Sequence, residues 1–287
     1  MAGARAPVII HGNCQAQVLH LLVSRVPSLN ERFGFHLVTD TEPGVPQSPP
    51  PEEAPHAVLA WAQYDRRPDL ALRDELLACV PTSCAVVRYP AVGMNVFWPF
   101  RMRCPRNKPE PGFPWGRYPI GDRVALRVAE LGLAPAEAFA RYTELSTAQM
   151  PDLEHRLDLD REIYARRDAG CDVVMGDVVF ARLRDSYQFW THGHLASVVF
   201  STLLTRLIAC SSKIFGEIDD ALRAEIAEAV ASFPGQGEMQ VPIHPLVIER
   251  LGLTFVDAST RYRWFGNEWT FEEYYTRYIG NDVSWSA

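Results

Sequence analysis

The sequence predicts an α/β fold with a parallel-sheet core and a largely helical second half. Two observations carry this. Through residue 90, short apolar runs alternate with helical spacings, the pattern of strands separated by crossover helices. After residue 121 the period is that of helices almost throughout. The expected layout is a single α/β domain over 1–287. It has a βα sheet core at 1–90, an irregular aromatic and basic loop at 91–121, and a mostly helical part at 122–287 packing on the sheet.

The elements follow in order. Val8-Ile9-Ile10 is β-branched and predicts the first strand. Gly12-Asn13 breaks it. From Gln15 to Arg25 the residues Ala16, Val18, Leu19, Leu21, Leu22 and Val23 recur at mostly helical spacing. Phe35–Val38 predicts a second strand, and the Pro- and Glu-rich stretch from Thr41 to Pro55 a loop. Ala57–Ala60 predicts a third strand running out into Trp61-Ala62-Gln63-Tyr64. Leu70–Cys79 predicts a helix, and Ala85–Arg88 a fourth strand closed by Tyr89-Pro90. Strands joined this way form a parallel sheet with right-handed crossovers, and ligands gather beyond its C-terminal strand ends. Cys14, Gln63 and Tyr89 should therefore share one rim.

Residues 93 to 121 lack any period. Aromatic side chains mingle there with Arg101, Arg103, Arg106, Lys108 and Arg117. Such a stretch is either a loop wrapped over the core or one wall of a ligand site, where aromatics stack and cations pair with phosphates. Helices are expected at Asp122–Leu131, Pro135–Leu145, Met150–Ala169, Leu195–Cys210, Asp219–Ser232 and Leu246–Leu251. Cys171–Phe180 fits a strand or a buried helix start, and Phe255-Val256 a strand. The tail from Tyr262 to Trp285 is aromatic and should pack on the body.

Composition bounds the function. The chain has 287 residues, 47% of them hydrophobic and 22% charged, with a formal net charge of −7. That balance suits an ordinary globular protein and argues against a general nucleic-acid binder. No apolar run is long enough to span a bilayer or to form a signal peptide, so a cytoplasmic setting is expected. The six cysteines are scattered without a C-x-x-C pair, which predicts free thiols and no zinc site. No phosphate-cradling glycine loop follows a strand, and no acidic pair suggests a metal.

The chemistry centres on Cys14. A thiol at a helix start meets unpaired N–H groups and the positive end of the helix dipole, both of which favour the reactive thiolate. A cysteine nucleophile needs a base near in space. His194 and His192 flank Gly193 just before an apolar helix and are the candidates. Asp177 or Asp257 can orient the imidazole. Asn13, Gln15 and Gln63, with the N–H groups of the turn, are candidate oxyanion donors.

These residues resemble the WcbI family of capsular polysaccharide biosynthesis proteins. The resemblance rests on His11-Gly12-Asn13-Cys14-Gln15 after the first strand and Trp61-Ala62-Gln63 after the third. Gly176-Asp177 and Thr191-His192-Gly193-His194 support it. Where such sequences often read Asn-His-Pro, this chain has Gly193-His194-Leu195, which keeps the imidazole but loses its neighbours. The resemblance implies an α/β fold with some likeness to SGNH-type hydrolases. It implies coenzyme A or acetyl-coenzyme A as ligand, and acyl transfer to a sugar or polysaccharide as reaction. His11 and Gly12 would then lie against the coenzyme, and Arg101, Arg103, Arg106 and Lys108 would take its phosphates. The expectation is a coenzyme A-dependent O-acetyltransferase. An esterase or thioesterase using the same Cys–His pair, or a coenzyme A-binding protein without turnover, remains the alternative.

Overall fold

The computed structural model describes residues 5–39, 51–64 and 71–285. The elements begin with β1 (Ala6–Gly12), α1 (Cys14–Val23), α2 (Pro27–Asn30), β2 (Phe33–Thr39), β3 (Leu59–Tyr64), α3 (Ala71–Cys79) and β4 (Ala85–Pro90). They continue with β5 (Arg101–Arg103), β6 (Ile120–Asp122), α4 (Arg123–Ala129), α5 (Pro135–Ala148), α6 (Leu153–Asp168), α7 (Gly176–Ala181) and α8 (Ser197–Cys210). The rest are α9 (Ser212–Phe215), α10 (Asp220–Ala231), α11 (Pro245–Leu251), β7 (Tyr262–Trp264), β8 (Asn267–Trp269) and α12 (Phe271–Gly280).

The four expected strands pair in parallel in the order β2-β1-β3-β4. The third strand starts two residues later than expected and carries through Gln63. Most of the expected loop at 41–55 lies outside the described residues, and its end forms a 3₁₀ turn at Ala54–His56. Cys171–Phe180 resolves into a short approach and the helix α7. Phe255-Val256 is not a strand but part of a bend. The aromatic tail instead contains the hairpin β7–β8 and the helix α12.

The chain divides into two compact units of interleaved segments. One comprises Met1–Gly93, Arg161–Ala181 and His194–Gln236, the other Met94–Asp160, Arg182–Gly193 and Gly237–Ala287. Thus α7 to α10 cluster with the sheet, while α4, α5, α11 and α12 cluster with β5 and β6.

In the first unit the sheet is buried on both faces, which explains its near-continuous apolar runs. Val8, Ile9 and Ile10 of the central strand have no exposed surface. Alternation sends Ile9, Val38 and Ala60 to one face, where they meet Ala54, Ala57 and Leu76. Trp61 turns the other way, packs edge-on against Phe215 at 5.9 Å and donates its indole N–H to Ser211 Oγ at 2.9 Å. Helix α1 buries Ala16, Leu19, Leu22 and Val23 and packs against β2, α8 and α10.

The second unit is organised around Asp122. Its buried carboxylate caps α4, accepting the N–H groups of Val124 and Ala125 at 2.8 and 2.9 Å. It also accepts the hydroxyls of Tyr142 at 3.0 Å and Tyr275 at 3.3 Å, whose rings stack at 4.4 Å. Burial raises the Asp122 carboxyl above the usual carboxylate range while these donors pull it down. One carboxylate thus ties α4, α5 and α12 together.

Candidate functional site

The strand order places the site. From β1 the chain winds to β2 on one side and then returns to β3 on the other, so the reversal falls between the C-terminal ends of β1 and β3. Gly12, Asn13 and Cys14 leave β1 at that point, and Gln63 lies near the end of β3.

Cys14 is the first residue of α1 and is half-buried. Asn13 is its N-cap: the side-chain Oδ1 accepts the Gln15 N–H at 2.8 Å, and the Asn13 carbonyl accepts the Ala16 N–H at 2.8 Å. The thiol therefore stands at the positive end of the helix dipole. All six cysteines lie in described residues and none forms a disulfide.

The turn is held from below by two buried amides. Gln63 Oε1 accepts the Asn13 N–H at 2.8 Å, and Gln63 Nε2 donates to Gln15 Oε1 at 3.2 Å. Gln15 continues the chain, donating from Nε2 to the Val92 carbonyl at 2.6 Å and accepting the Val92 N–H at 3.1 Å. The Tyr89 hydroxyl donates to the His11 carbonyl at 3.0 Å. The expected rim is therefore real: Gln63 and Tyr89 both reach the turn that carries Cys14. Gly12 has to be glycine, since a Cβ there would lie 2.7 Å from Gln63 Cβ, 2.7 Å from its Oε1 and 2.8 Å from Tyr89 Oη.

This geometry changes the roles read from the sequence. The N–H of Gln15 is bound within the cap and its side chain is tied to Val92, so it is not an open oxyanion donor. Gln63 is likewise engaged with Asn13 and Gln15. The side-chain donor left on the turn is Asn13 Nδ2, because Oδ1 serves the cap. His11 is buried on β1, in register with Val38 and Ala62.

His194 belongs to the same compact unit as Cys14, and His192 to the other. The His192 carbonyl accepts the Met94 N–H at 2.9 Å, within its own unit. Burial pushes the His194 imidazole down to about 4, so it is neutral at physiological pH. Asp177 is not its orienting acid. Both carboxylate oxygens of Asp177 accept from Arg206, at 2.8 Å each, and this guanidinium holds the Asp177 carboxyl below its usual range. Asp257 is also engaged locally, accepting the N–H and hydroxyl of Ser259.

The basic residues expected at coenzyme phosphates all lie in the second unit. Arg101, Arg103 and Lys108 are exposed, with no ion-pair partner among the described residues. Arg106 differs: its guanidinium donates to the carbonyls of Tyr278 at 2.5 Å and Ile279 at 3.0 Å. It closes the C-terminal end of α12, where a cation is favoured. Arg117 is clamped between the rings of Phe113 at 4.1 Å and Trp285 at 4.8 Å, and donates to Glu110. Among the described residues no cluster of histidine, cysteine and carboxylate side chains could hold a metal ion, and no helix is long and apolar enough to cross a membrane.

Comparison with known proteins adds two findings. The profile of the family described as polysaccharide biosynthesis enzyme WcbI matches residues 7–211. A solved structure of WcbI, described as a novel polysaccharide biosynthesis enzyme in native form without a disulfide bond between coenzyme A and its Cys14, has the same fold. Its TM-score is 0.69 at 13% identity, over 98% of this chain and 97% of that one. No curated protein sequence matches.

Proposed function

Since the chain belongs to the WcbI family of polysaccharide biosynthesis enzymes, we propose that it is a cytoplasmic O-acetyltransferase moving an acetyl group from coenzyme A to a sugar hydroxyl of a capsular or surface polysaccharide. The observation that carries this reading is Cys14 at the first position of α1, at the sheet's point of reversal. A thiol so placed is a nucleophile for a thioester.

His194 takes the Cys14 proton, and the thiolate attacks the thioester carbonyl. The developing oxyanion receives the Asn13 Nδ2–H and the N–H at the start of α1. The carbon–sulfur bond to coenzyme A breaks, and the departing sulfur takes the proton back from His194. In the second half a sugar hydroxyl gives its proton to His194 and attacks the acetyl carbonyl on Cys14. The Cys14 sulfur leaves and regains that proton. A neutral imidazole suits both halves, since each begins with proton acceptance. Arg101, Arg103 and Lys108 are assigned to the coenzyme phosphates because they are exposed cations with no carboxylate partner among the described residues. Arg106 is withdrawn from that set.

The test is direct. Protein incubated with acetyl-coenzyme A alone should gain 42 Da on the peptide holding Cys14 (the mass of an acetyl group replacing hydrogen, about that value). Cys14→Ala should abolish transfer to a sugar acceptor. Turnover without acetylated Cys14 would move the mechanism to direct attack by the sugar, with His194 as base. Turnover by Cys14→Ala at the wild-type rate would remove the thiol from the chemistry. Raised thermal stability with coenzyme A is expected, and its absence with every coenzyme A species would remove the donor assignment.

A further inference from the structure

We propose that Gln63 is a positioning residue for the Cys14 thiol, acting as a neutral group that must accept and donate at the same time. The inference rests on the reading of Cys14 as the reacting atom. It assigns to Gln63 a different task from oxyanion binding.

The argument starts from burial. Gln63 is 4% exposed and Gln15 is 2% exposed. Water does not serve them, so each polar atom needs a protein partner. Gln63 Oε1 faces an N–H, that of Asn13, and Gln63 Nε2 faces an oxygen, that of Gln15. Gln15 Oε1 already accepts the Val92 N–H, so it can only be an acceptor toward Gln63. The sign of every contact is therefore fixed. A leucine at 63 would leave the Asn13 N–H and Gln15 Oε1 without their partners. An ionised glutamate would satisfy Asn13 but set two acceptors against each other at 3.2 Å, with a negative charge one residue from the thiol. A protonated glutamate would restore both contacts, its carbonyl accepting and its hydroxyl donating.

This last point gives a test that a merely structural role would not pass. The rate of Cys14 alkylation by iodoacetamide is followed by peptide mass spectrometry between pH 5 and 9. Circular dichroism verifies the fold at each pH. Wild-type reactivity should rise once with pH, as the thiolate forms. Gln63→Glu should match it at the acid end, where the buried carboxyl keeps its proton. As that carboxyl ionises the variant should fall behind by about tenfold, or the rise should move up by about one pH unit. Gln63→Leu should be slower at every pH, with no displacement of the rise.

Gln63→Glu tracking wild type to pH 9 in a native fold would overturn the proposal. So would Gln63→Leu reacting at the wild-type rate, or Gln63→Glu failing to fold even at pH 5, where the protonated group should substitute. Inert wild-type Cys14 would bring down this inference and the nucleophile together. The expected profiles without acetyl transfer by any variant would sink the proposed reaction alone, because alkylation does not depend on it.

Discussion

Replacing Gly12 by alanine probes the packing beneath the thiol. The added Cβ would lie 2.7 Å from Gln63 Cβ, where ordinary contact requires more than 3.4 Å. Gln63 Cβ is a stem atom on β3, so it can retreat only if the strand does. Overpacking of this kind costs about 1–3 kcal/mol. The other two close atoms, Gln63 Oε1 and Tyr89 Oη, sit on ends that can swing, but each swing breaks a buried hydrogen bond, to the Asn13 N–H or the His11 carbonyl. Each loss adds about 1 kcal/mol. The sum is about 3–5 kcal/mol, which for a chain of this size lowers Tm by roughly 6–20 °C. Urea titration followed by tryptophan fluorescence should show a lower midpoint at an unchanged slope. Gly193→Ala is the matched control. A Cβ there meets nothing within 4 Å, so its stability should stay within about 0.5 kcal/mol of wild type. A Gly12→Ala protein as stable as Gly193→Ala would refute the reasoning.

Acid should destabilise the protein through buried imidazoles. His194 and His244 both titrate at about 4 when folded, against 6.5 otherwise, so between those values the unfolded chain binds more protons and stability falls as pH falls. For His244 the cause is burial, with the nearby Arg250 charge adding to it; its Nδ1 accepts the Leu246 N–H as the N-cap of α11, and Nε2 meets Ser146 Oγ. His244→Asn keeps a cap without the titration, so urea midpoints at pH 7, 6 and 5 should decline less steeply than in wild type, by up to about 1.4 kcal/mol per pH unit. Asp177→Asn should retain acyl transfer within about twofold, since its carboxylate serves Arg206 at the surface and such a pair contributes about 1 kcal/mol or less. A hundredfold fall in kcat would reinstate it beside the base. Arg106→Ala should lower Tm by loosening the end of α12, whereas Lys108→Ala and Arg103→Ala should leave Tm unchanged and weaken coenzyme A binding by about tenfold each in calorimetric titration. The reverse pattern would show that the phosphate contacts have been misassigned.

What was legible in the sequence is what local chemistry fixes. Val8-Ile9-Ile10, the Gly-Asn break and the helical spacing behind Cys14 are contiguous signals, and they gave strand, turn and helix with the thiol at the helix start. Parallel pairing followed from alternation, and with it the shared rim. Partners far apart along the chain were not legible. Gln63 meets Asn13 across 50 residues, and Gln15 meets Val92 across 77. Nothing local distinguishes an amide aimed at an oxyanion from one bound into a turn. Arg106 looked like its basic neighbours because its acceptors lie at the far end of the sequence. The hairpin at Tyr262–Trp269 escaped because strands of three residues carry too little periodicity, and one of its turn residues, Phe265, adopts φ 55°. Its ring lies against those of Phe113 and Trp285, at 4.8 and 5.5 Å, so its setting comes from distant aromatic neighbours rather than from turn chemistry.

The two linked amides also bear on biogenesis. Cys14 leaves the ribosome before Val92 does, and the backbone that fixes its surroundings ends only at Val92. A nascent chain halted before that residue would display the sulfur on an unbraced segment, with none of the scaffolding that tunes it. The setting of the thiol would be complete only once the fourth strand has docked and both glutamines have found their counterparts. Such long-range closure is slow relative to helix formation, which gives the emerging polypeptide an interval in which its most hazardous side chain is still dormant.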